Sequence, residues 1–131
     1  MRDIAKVFKA LSDETRLRML ILIEQQCLCV CEVMQILGMG QSRVSHHLNI
    51  LRDAGLAKAK RQGTWMFYGS AGGVSSPHHE RIVETLKDWV KDRDLVRIDL
   101  ANLEKCVTNR GKDGCCPLPE MDGQRQVSVG S

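Results

Sequence analysis

Apolar residues recur at intervals of three and four positions through the first 54 residues, the spacing typical of amphipathic helices. Gly38-Met39-Gly40 interrupts the pattern and turns the chain sharply, because glycine readily adopts the conformations that end a helix. Beyond it, Val44, Leu48 and Leu51 form a buried stripe on a helix whose other faces are polar. Two helices joined by a short glycine turn, the second with polar faces, predict a helix-turn-helix. The four predicted helices cover residues 3–11, from the Ser12-Asp13 cap to about residue 24, 30–37 and 41–54.

The spacing changes from helical to alternating after Gly55. Residues 56–61 alternate between apolar and basic side chains, and residues 64–68 are rich in β-formers. Gln62-Gly63 lies between them and predicts a tight turn. The segment therefore predicts a β-hairpin, which serves as the wing of a winged helix-turn-helix.

A glycine- and serine-rich linker follows over residues 69–76, and Ser76-Pro77 begins a fifth helix. One or two further helical turns follow through Leu103. The order α-α-α-α-β-β-α predicts a mainly α fold with a small β-hairpin, a winged helix-turn-helix. We expect residues 1–95 to form the DNA-binding and dimerisation domain and residues 96–131 to form a flexible C-terminal extension.

The chain is short and poor in aromatic residues, which limits its core. It has 131 residues, enough for one domain, and only 4% of them are aromatic. The first helix and the Trp-bearing last helix are therefore expected to pair with a second copy as a homodimer, although packing on their own subunit is the alternative. Two-fold symmetry places paired recognition helices about 34 Å apart on DNA.

The net charge of +3 is small, but the basic excess lies in one place. Residues 40–75 carry five basic residues and one acidic residue, an imbalance typical of contact with a nucleic acid such as double-stranded DNA. The alternative is that these basic residues only form a solvated face. For the two histidines in this segment, the alternative is local packing. The expected DNA contacts are Gln41, Ser42, Arg43, Ser45, His46, His47 and Arg52 on the fourth helix, with Lys60 and Arg61 on the wing.

Six cysteines form two groups, and the N-terminus lacks the apolar stretch of a secretory signal. Clustered thiols in such a chain indicate metal binding or thiol redox chemistry rather than a disulfide framework. Three thiolates suit trivalent arsenic or antimony, which bind them in a pyramid, whereas zinc and cadmium prefer four ligands. The expected ligands are Cys27, Cys29 and Cys31, and the second candidate group is Cys106, Cys115 and Cys116.

The spacing of the first group suggests how binding could act on DNA. On a helix, Cys29 and Cys31 would point about 200° apart, but on an extended segment they lie on the same side. We therefore hypothesise that arsenite holds residues 27–31 in an extended form, frays the start of the third helix and so misplaces the recognition helix. His78 and His79, adjacent at the start of the fifth helix, are expected on the surface.

Three segments resemble the ArsR/SmtB family of winged-helix metalloregulators, and within it the arsenic-responsive repressors. Residues 8–17 (FKALSDETRL) resemble the family's entry segment, and residues 45–56 (SHHLNILRDAGL) resemble its recognition helix. Residues 28–33 (LCVCEV) resemble the arsenite-binding box of the classical members. The resemblance covers roughly residues 3–95.

The chain also departs from the family pattern. Met34 stands where the third thiol of the classical box would fall, and Cys27 supplies a thiol on the other side. Gly40-Gln41-Ser42 replaces the commoner Ser-Gln-Pro start of the recognition helix. The fifth helix lacks an Asp-x-His…His-x-x-Glu pattern, which counts against the zinc-sensing branch.

The resemblance implies a dimeric repressor of an arsenic-resistance operon that leaves its operator when As(III) or Sb(III) binds the thiolates, with no organic cofactor. A thiol-redox or Cd/Zn-responsive repressor on the same fold is one alternative, and a metal-sequestering protein is an alternative of another class. The sequence shows no nucleophile–base pair, phosphate loop or cofactor turn, so an enzyme is not expected. A cytoplasmic location without a membrane partner is expected, because the longest apolar run, Met19 to Ile23, is far short of the ~20 residues of a membrane span.

Overall fold

The computed structural model describes residues 1–71 and 77–110, excepting the side chains of residues 77 and 78. This part of the chain forms six α-helices and three β-strands, one helix and one strand more than predicted. In chain order they are α1 (Arg2–Ala10), α2 (Glu14–Gln25), β1 (Leu28–Cys29), α3 (Val30–Leu37), α4 (Gln41–Asp53), β2 (Ala57–Gln62), β3 (Trp65–Ser70), α5 (Pro77–Val90) and α6 (Asp94–Thr108). None of the helices in these ranges is long and apolar enough to cross a bilayer.

The centre of the core is α2, which begins at the predicted cap. The Asp13 carboxylate accepts hydrogen bonds from the backbone N–H groups of Thr15 at 2.8 Å and Arg16 at 3.2 Å, satisfying two donors that the helix leaves open. Residues 19–23 of this helix are all buried. A helix that is apolar on every side over more than one turn must be surrounded by other elements.

The helix-turn-helix is formed by α3, α4 and the glycine turn between them, as predicted. Gly38 ends α3 with a left-handed backbone (φ 67°), and its N–H donates to the Met34 carbonyl at 2.8 Å. Val44, Leu48 and Leu51 are fully buried against the rest of the core. The polar faces of α4 are thereby turned outward.

The wing belongs to a three-stranded antiparallel sheet in the order β1-β3-β2. β2 and β3 form the predicted hairpin, but Gln62 pairs with Trp65, so the turn residues are Gly63 and Thr64 rather than Gln62 and Gly63. Gly63 has a positive φ of 62°, which suits a tight hairpin turn. The two-residue strand β1 pairs with Phe67 and Tyr68 in the middle of β3 and was not predicted, because two residues are too few to show an alternating pattern.

The expectation of a flexible extension from residue 96 onward is wrong for residues 96–110. These residues lie in α6 and its C-terminal turn, and α6 packs against α2 and α3. Leu103 is buried in the core, and the Asp99 carboxylate accepts hydrogen bonds at 2.8 Å and 3.0 Å from the guanidinium of Arg18 on α2. The remaining residues of that extension, and most of the predicted linker before α5, lie outside the described residues.

Large apolar side chains remain exposed on the two helices expected to form the dimer surface. Phe8 on α1 and Trp89 on α5 are 60% and 72% exposed. They border one apolar groove between α1, α2 and α5, of about 500 Å³. An exposed apolar groove of this kind favours contact with another surface.

Candidate DNA-binding surface and thiol site

The exposed face of α4 carries most of the predicted DNA contacts. Gln41, Ser42 and Arg43 are exposed on its first turn, followed by His46 one turn later and Arg52 near the end. Arginine and glutamine can donate and accept at base edges, whereas serine mainly positions the backbone of the DNA. The first turns of this helix therefore present a set of side chains suited to a major groove.

A groove of about 600 Å³ separates this face from the wing. Arg61 of β2 lies on one side of the groove, and Lys60 beside it is exposed. The groove thus brings α3, the recognition helix and the wing to a single surface. Its polar and charged lining includes Cys31, Gln41, Ser45, Asn49, Arg52 and Arg61.

His47 does not belong to this surface, contrary to the sequence-based expectation. It is 8% exposed, and its Nδ1 lies 3.2 Å from Nη1 of Arg16, whose Nε donates to the Ala10 carbonyl at 2.7 Å. Burial lowers the pKa of His47 below its ordinary value; the Asp13 carboxylate partly offsets this, and the charge of Arg16 adds to it. His47 therefore connects α4 to the start of α2. The burial of His47 could have been predicted from the sequence. Position 47 falls on the apolar stripe that starts at Val44 and recurs at intervals of three and four.

His79 is a second histidine whose predicted surface position is wrong. Its side chain is 5% exposed, and its Nε2 has no hydrogen-bond partner among the described residues. Nothing in the sequence around Ser76-Pro77 distinguished this histidine from its neighbour.

The structure brings two of the three predicted thiol ligands together. The Sγ atoms of Cys29 and Cys31 are 2.9 Å apart, and Cys31 is exposed. Cys27 and Cys29 are fully buried around Phe67. Burial raises the pKa of Cys27 to about 12, which disfavours its thiolate form near neutral pH.

The Cys29–Cys31 pair forms at the start of α3 with this helix intact, and fraying of the helix by bound arsenite stays a hypothesis. Cys29 precedes the helix with an extended backbone (φ −83°, ψ 164°), and only Cys31 lies within it. The Glu32 carboxylate fixes this arrangement, because its Oε1 accepts a hydrogen bond at 3.0 Å from the backbone N–H of Cys29. Both sulfur atoms therefore lie at the entrance of α3 while this helix is intact.

The second cysteine group begins close to the first one. Cys106 on α6 has its Sγ 3.9 Å from Oε2 of Glu32 and 3.9 Å from Oε1 of Gln35. Arg110, at the end of the described chain, binds the same Glu32 carboxylate. Glu32 and Arg110 were not predicted as part of the site from the sequence. Only the position of Glu32, three residues after the helix cap, indicated a structural role.

No three His, Cys, Asp or Glu side chains among residues 1–71 and 79–110 are close enough to hold one metal ion. A complete trithiolate site is therefore not formed by the part of the chain that the structure describes. Cys115 and Cys116 lie outside it.

Comparisons with known proteins agree with this architecture. A family model, "Bacterial regulatory protein, arsR family", matches residues 13–59. The chain is 42% identical over 93 residues to an arsenic resistance transcriptional regulator of Pseudomonas putida, covering 68% of this chain and 81% of that protein. It is 35% identical over 97 residues to a cadmium resistance regulatory protein CadC homolog of Staphylococcus aureus, covering 73% and 75%. The homodimeric winged helix-turn-helix DNA-binding domain of a Mycobacterium bovis protein superposes with a TM-score of 0.60 at 28% identity, covering 71% of this chain and 82% of that one.

Proposed function

Because the chain belongs to the ArsR family of DNA-binding transcription regulators, which are not enzymes, we propose that it represses an arsenic-resistance operon and is released by arsenite or antimonite. The inducer binds the Cys29–Cys31 pair. One observation carries this proposal: the two sulfur atoms are 2.9 Å apart, and Cys31 lines the groove between the recognition helix and the wing. A soft ligand at that pair lies next to the side chains that face DNA.

The DNA-bound form is a homodimer on a two-fold symmetric operator. The exposed Phe8 and Trp89 and the apolar groove between α1, α2 and α5 supply a surface for the second copy. The two α4 helices then occupy half-sites about 34 Å apart. Gln41, Ser42, Arg43, Ser45, His46 and Arg52 face the major groove or its phosphates, and Lys60 and Arg61 hold the neighbouring backbone.

The chemistry of the donors favours trivalent arsenic and antimony over zinc and cadmium. Thiolates select soft ions, and a tetrahedral zinc or cadmium site needs four ligands. His47, the buried histidine of α4, is turned toward Arg16, with its Nδ1 3.2 Å from Nη1 of that residue. Release by cadmium and not by arsenite would assign the site to the chemistry of the Staphylococcus aureus relative instead.

Coupling between ligand and DNA runs through α3. This helix packs on α4 and is connected to it by the three-residue glycine turn. A change at its first turn therefore shifts the support of the recognition helix and the groove toward the wing. A hundredfold loss of operator affinity requires only about 2.7 kcal/mol of difference between the liganded and free states.

Variants within the thiol segment test the assignment. In fluorescence anisotropy on a palindromic operator, the reduced wild-type protein is titrated with As(III), Sb(III), Cd(II) and Zn(II). We expect arsenite and antimonite to release the wild type but not C29S/C31S. The matched control is C27A, which removes the fully buried thiol of the same segment, and it should be released like the wild type. Release of C29S/C31S by arsenite would refute the assignment.

The same sulfur pair favours one second candidate, a thiol-redox switch. The two sulfur atoms lie 2.9 Å apart, so in the reduced protein a peroxide-type oxidant can join them with little movement. Loss of operator binding under peroxide, without arsenite and only when Cys29 and Cys31 are present, would support this reading. Absence of any specific operator would instead favour a metal-sequestering protein.

A further inference from the structure

A hydrogen bond between two side chains joins the wing to the recognition helix. The hydroxyl group of Tyr68 on β3 donates to Oδ1 of Asn49 on α4 at 2.9 Å. Tyr68 is 3% exposed, and a buried tyrosine hydroxyl needs such a partner. Asn49 is half-buried and is not one of the residues that the sequence predicts to contact DNA. This bond therefore connects the interior of the sheet to a polar side chain on the DNA-binding helix.

Tyr68 is held firmly by its surroundings. It lies on the central strand of the three-stranded sheet, where it pairs with Leu28 of β1 on one side and with Ala59 of β2 on the other. It also belongs to the main apolar core. A hydroxyl fixed in this way holds its partner in one orientation, because a side chain is placed most precisely when its supporting residue is locked by packing. The amide of Asn49 consequently has a defined direction.

The direction of the amide determines what Asn49 can offer to a ligand. An asparagine side chain has a carbonyl oxygen that accepts hydrogen bonds and an NH₂ group with two donors. Because Oδ1 is turned toward Tyr68, the Nδ2 group on the other side of the amide is turned away from the hydroxyl. Asn49 lines the groove of about 600 Å³ between α4 and the wing. It therefore presents hydrogen-bond donors to that groove.

The groove is suited to a negatively charged group. Arg52 of α4 and Arg61 of β2 both line it, and no carboxylate stands among its described lining residues. Gln41, Ser45 and Asn49 recur at intervals of four positions and so share one face of α4. Cationic and neutral donors along one channel match the phosphate oxygens of a DNA strand.

The position of Asn49 along α4 favours phosphate over the edge of a base. A recognition helix contacts base edges mainly with residues near its N-terminus. Asn49 follows Gln41, the first residue of α4, by eight positions, which is about 12 Å along the helix axis. The backbone of a strand that passes between α4 and the wing reaches this part of the helix.

We propose that Asn49 donates from Nδ2 to a phosphate oxygen of the DNA strand in this groove, and that Tyr68 is the positioning residue that keeps the amide turned toward it. The contact adds a residue from the middle of α4 to those predicted from the sequence. This inference rests on the DNA-binding part of the proposed function and does not depend on which inducer releases the protein. A base-edge acceptor, such as N7 of guanine, offers similar chemistry, and modified DNA separates the two.

Three variants, measured on a palindromic operator duplex by fluorescence anisotropy, test the contact. N49A should bind the operator at least about tenfold more weakly, because a hydrogen bond to a charged phosphate is lost in each subunit. Y68F should weaken binding less, because the amide remains but can rotate. N49A/Y68F should bind like N49A, since Tyr68 acts through the amide. N102A, the same substitution on α6, is the matched control and should bind like the wild type.

The double variant also separates positioning from a purely structural role. In N49A the buried hydroxyl of Tyr68 loses its partner, which destabilises the fold, whereas N49A/Y68F removes both partners and leaves no unsatisfied group. Urea unfolding measures this difference. If Tyr68 supported only the fold, Y68F would weaken operator binding by the same factor with and without Asn49, and the positioning role would be overturned.

The salt dependence of operator binding gives an independent check. Asn49 is neutral, so N49A should lower the affinity at every salt concentration and leave the slope of log affinity against log salt unchanged. A slope lowered by about one unit per subunit would mean that a cationic contact had been lost instead, and would contradict the direct contact.

Modified DNA identifies the acceptor. One phosphate of the half-site at a time is replaced by an uncharged methylphosphonate, and one guanine at a time by an analogue that carries carbon in place of N7. We expect one methylphosphonate position that weakens binding of the wild type about tenfold more than binding of N49A. A guanine position with this behaviour would assign the donors to a base and overturn the phosphate contact. Wild-type affinity in N49A, or additive losses at every position, would overturn Asn49 as a DNA contact.

These outcomes are distinguishable from failure of the proposed function. All of them are measured without an inducer. If arsenite failed to release the wild type while the coupling between Asn49 and one phosphate persisted, the arsenic assignment alone would be overturned. An N49A protein that binds the operator and is released like the wild type would overturn this inference alone.

Discussion

Cys27, Cys29 and Cys31 occupy alternate positions of one short segment, yet only Cys31 is exposed. The sequence predicts that this segment carries the thiol chemistry, since three cysteines at such spacing are unusual in a core. It does not predict which sulfurs can act, because burial of Cys27 and Cys29 depends on Phe67 of β3, far along the chain. That burial raises the pKa of Cys27 to about 12 and so disfavours its thiolate near neutral pH.

His47 makes the free energy of unfolding depend on pH in a predictable direction. Burial lowers its pKa in the folded state below the ordinary value of 6.5, so between these two values the unfolded chain binds more protons. The free energy of unfolding should therefore fall as the pH drops below about 6.5, and His47→Gln should remove this part of the dependence. Urea unfolding at fixed protein concentration, near pH 7.5 and near pH 5.5, measures it.

His46→Gln is the matched control for that comparison. His46 is the exposed neighbour on the same helix, and its replacement makes the same chemical change. This variant should keep the wild-type pH dependence. Equal slopes for His47→Gln and the wild type would show that His47 is not held neutral by burial.

Elements with a long apolar repeat were predictable from the sequence. Short elements, and elements stabilised by residues far along the chain, were not. The bounds of α3 and the start of α4 follow from apolar spacing and from the glycines between them. The strand β1 exists because its two residues pair with β3, a contact that no local pattern encodes. α6 was underestimated because its buried acidic residue, Asp99, interrupts the apolar stripe and is paired with Arg18, 81 positions away.

The turn between α3 and α4 depends on Gly38. Its φ of 67° is disfavoured for residues with a Cβ, although the space around the position is open. Gly38→Ala should therefore destabilise the fold by about 1–2 kcal/mol through the backbone alone, and should weaken operator binding by tilting α4. Urea unfolding and operator anisotropy measure the two effects.

Gly40→Ala provides the comparison within the same turn. Gly40 has an ordinary extended backbone (φ −75°) and open space around it, so this variant should cost much less. Equal destabilisation by the two variants would mean that the left-handed conformation of Gly38 is not the cause.

At the scale of the whole molecule, the net charge is small, but the basic residues are concentrated on one surface. Each phosphate contact contributes about one unit to the slope of log affinity against log salt. In a symmetric dimer Arg61→Ala removes two contacts and should lower the slope by about two. Lys91→Ala removes the same charge from an exposed residue paired with Asp88, and should leave the slope unchanged. An unchanged slope in Arg61→Ala would exclude Arg61 from the DNA contact.

Dimerisation is expected to depend on the exposed apolar residues of α1 and α5. Trp89→Glu places a charge on a side chain that is 72% exposed in the single chain. The variant should sediment as a folded monomer and lose operator affinity, whereas Lys91→Glu should remain dimeric. A dimeric Trp89→Glu protein would require a different interface.

The central claim is that soft-ligand binding at the thiol pair and release of DNA are one event. The most direct measurement is a single titration of the reduced, operator-bound protein with arsenite, recording bound arsenic and released DNA together. We predict that release follows arsenic occupancy and that operator affinity falls about a hundredfold at saturation, corresponding to about 2.7 kcal/mol. A protein that is saturated with arsenic and still bound to its operator with unchanged affinity would contradict the account.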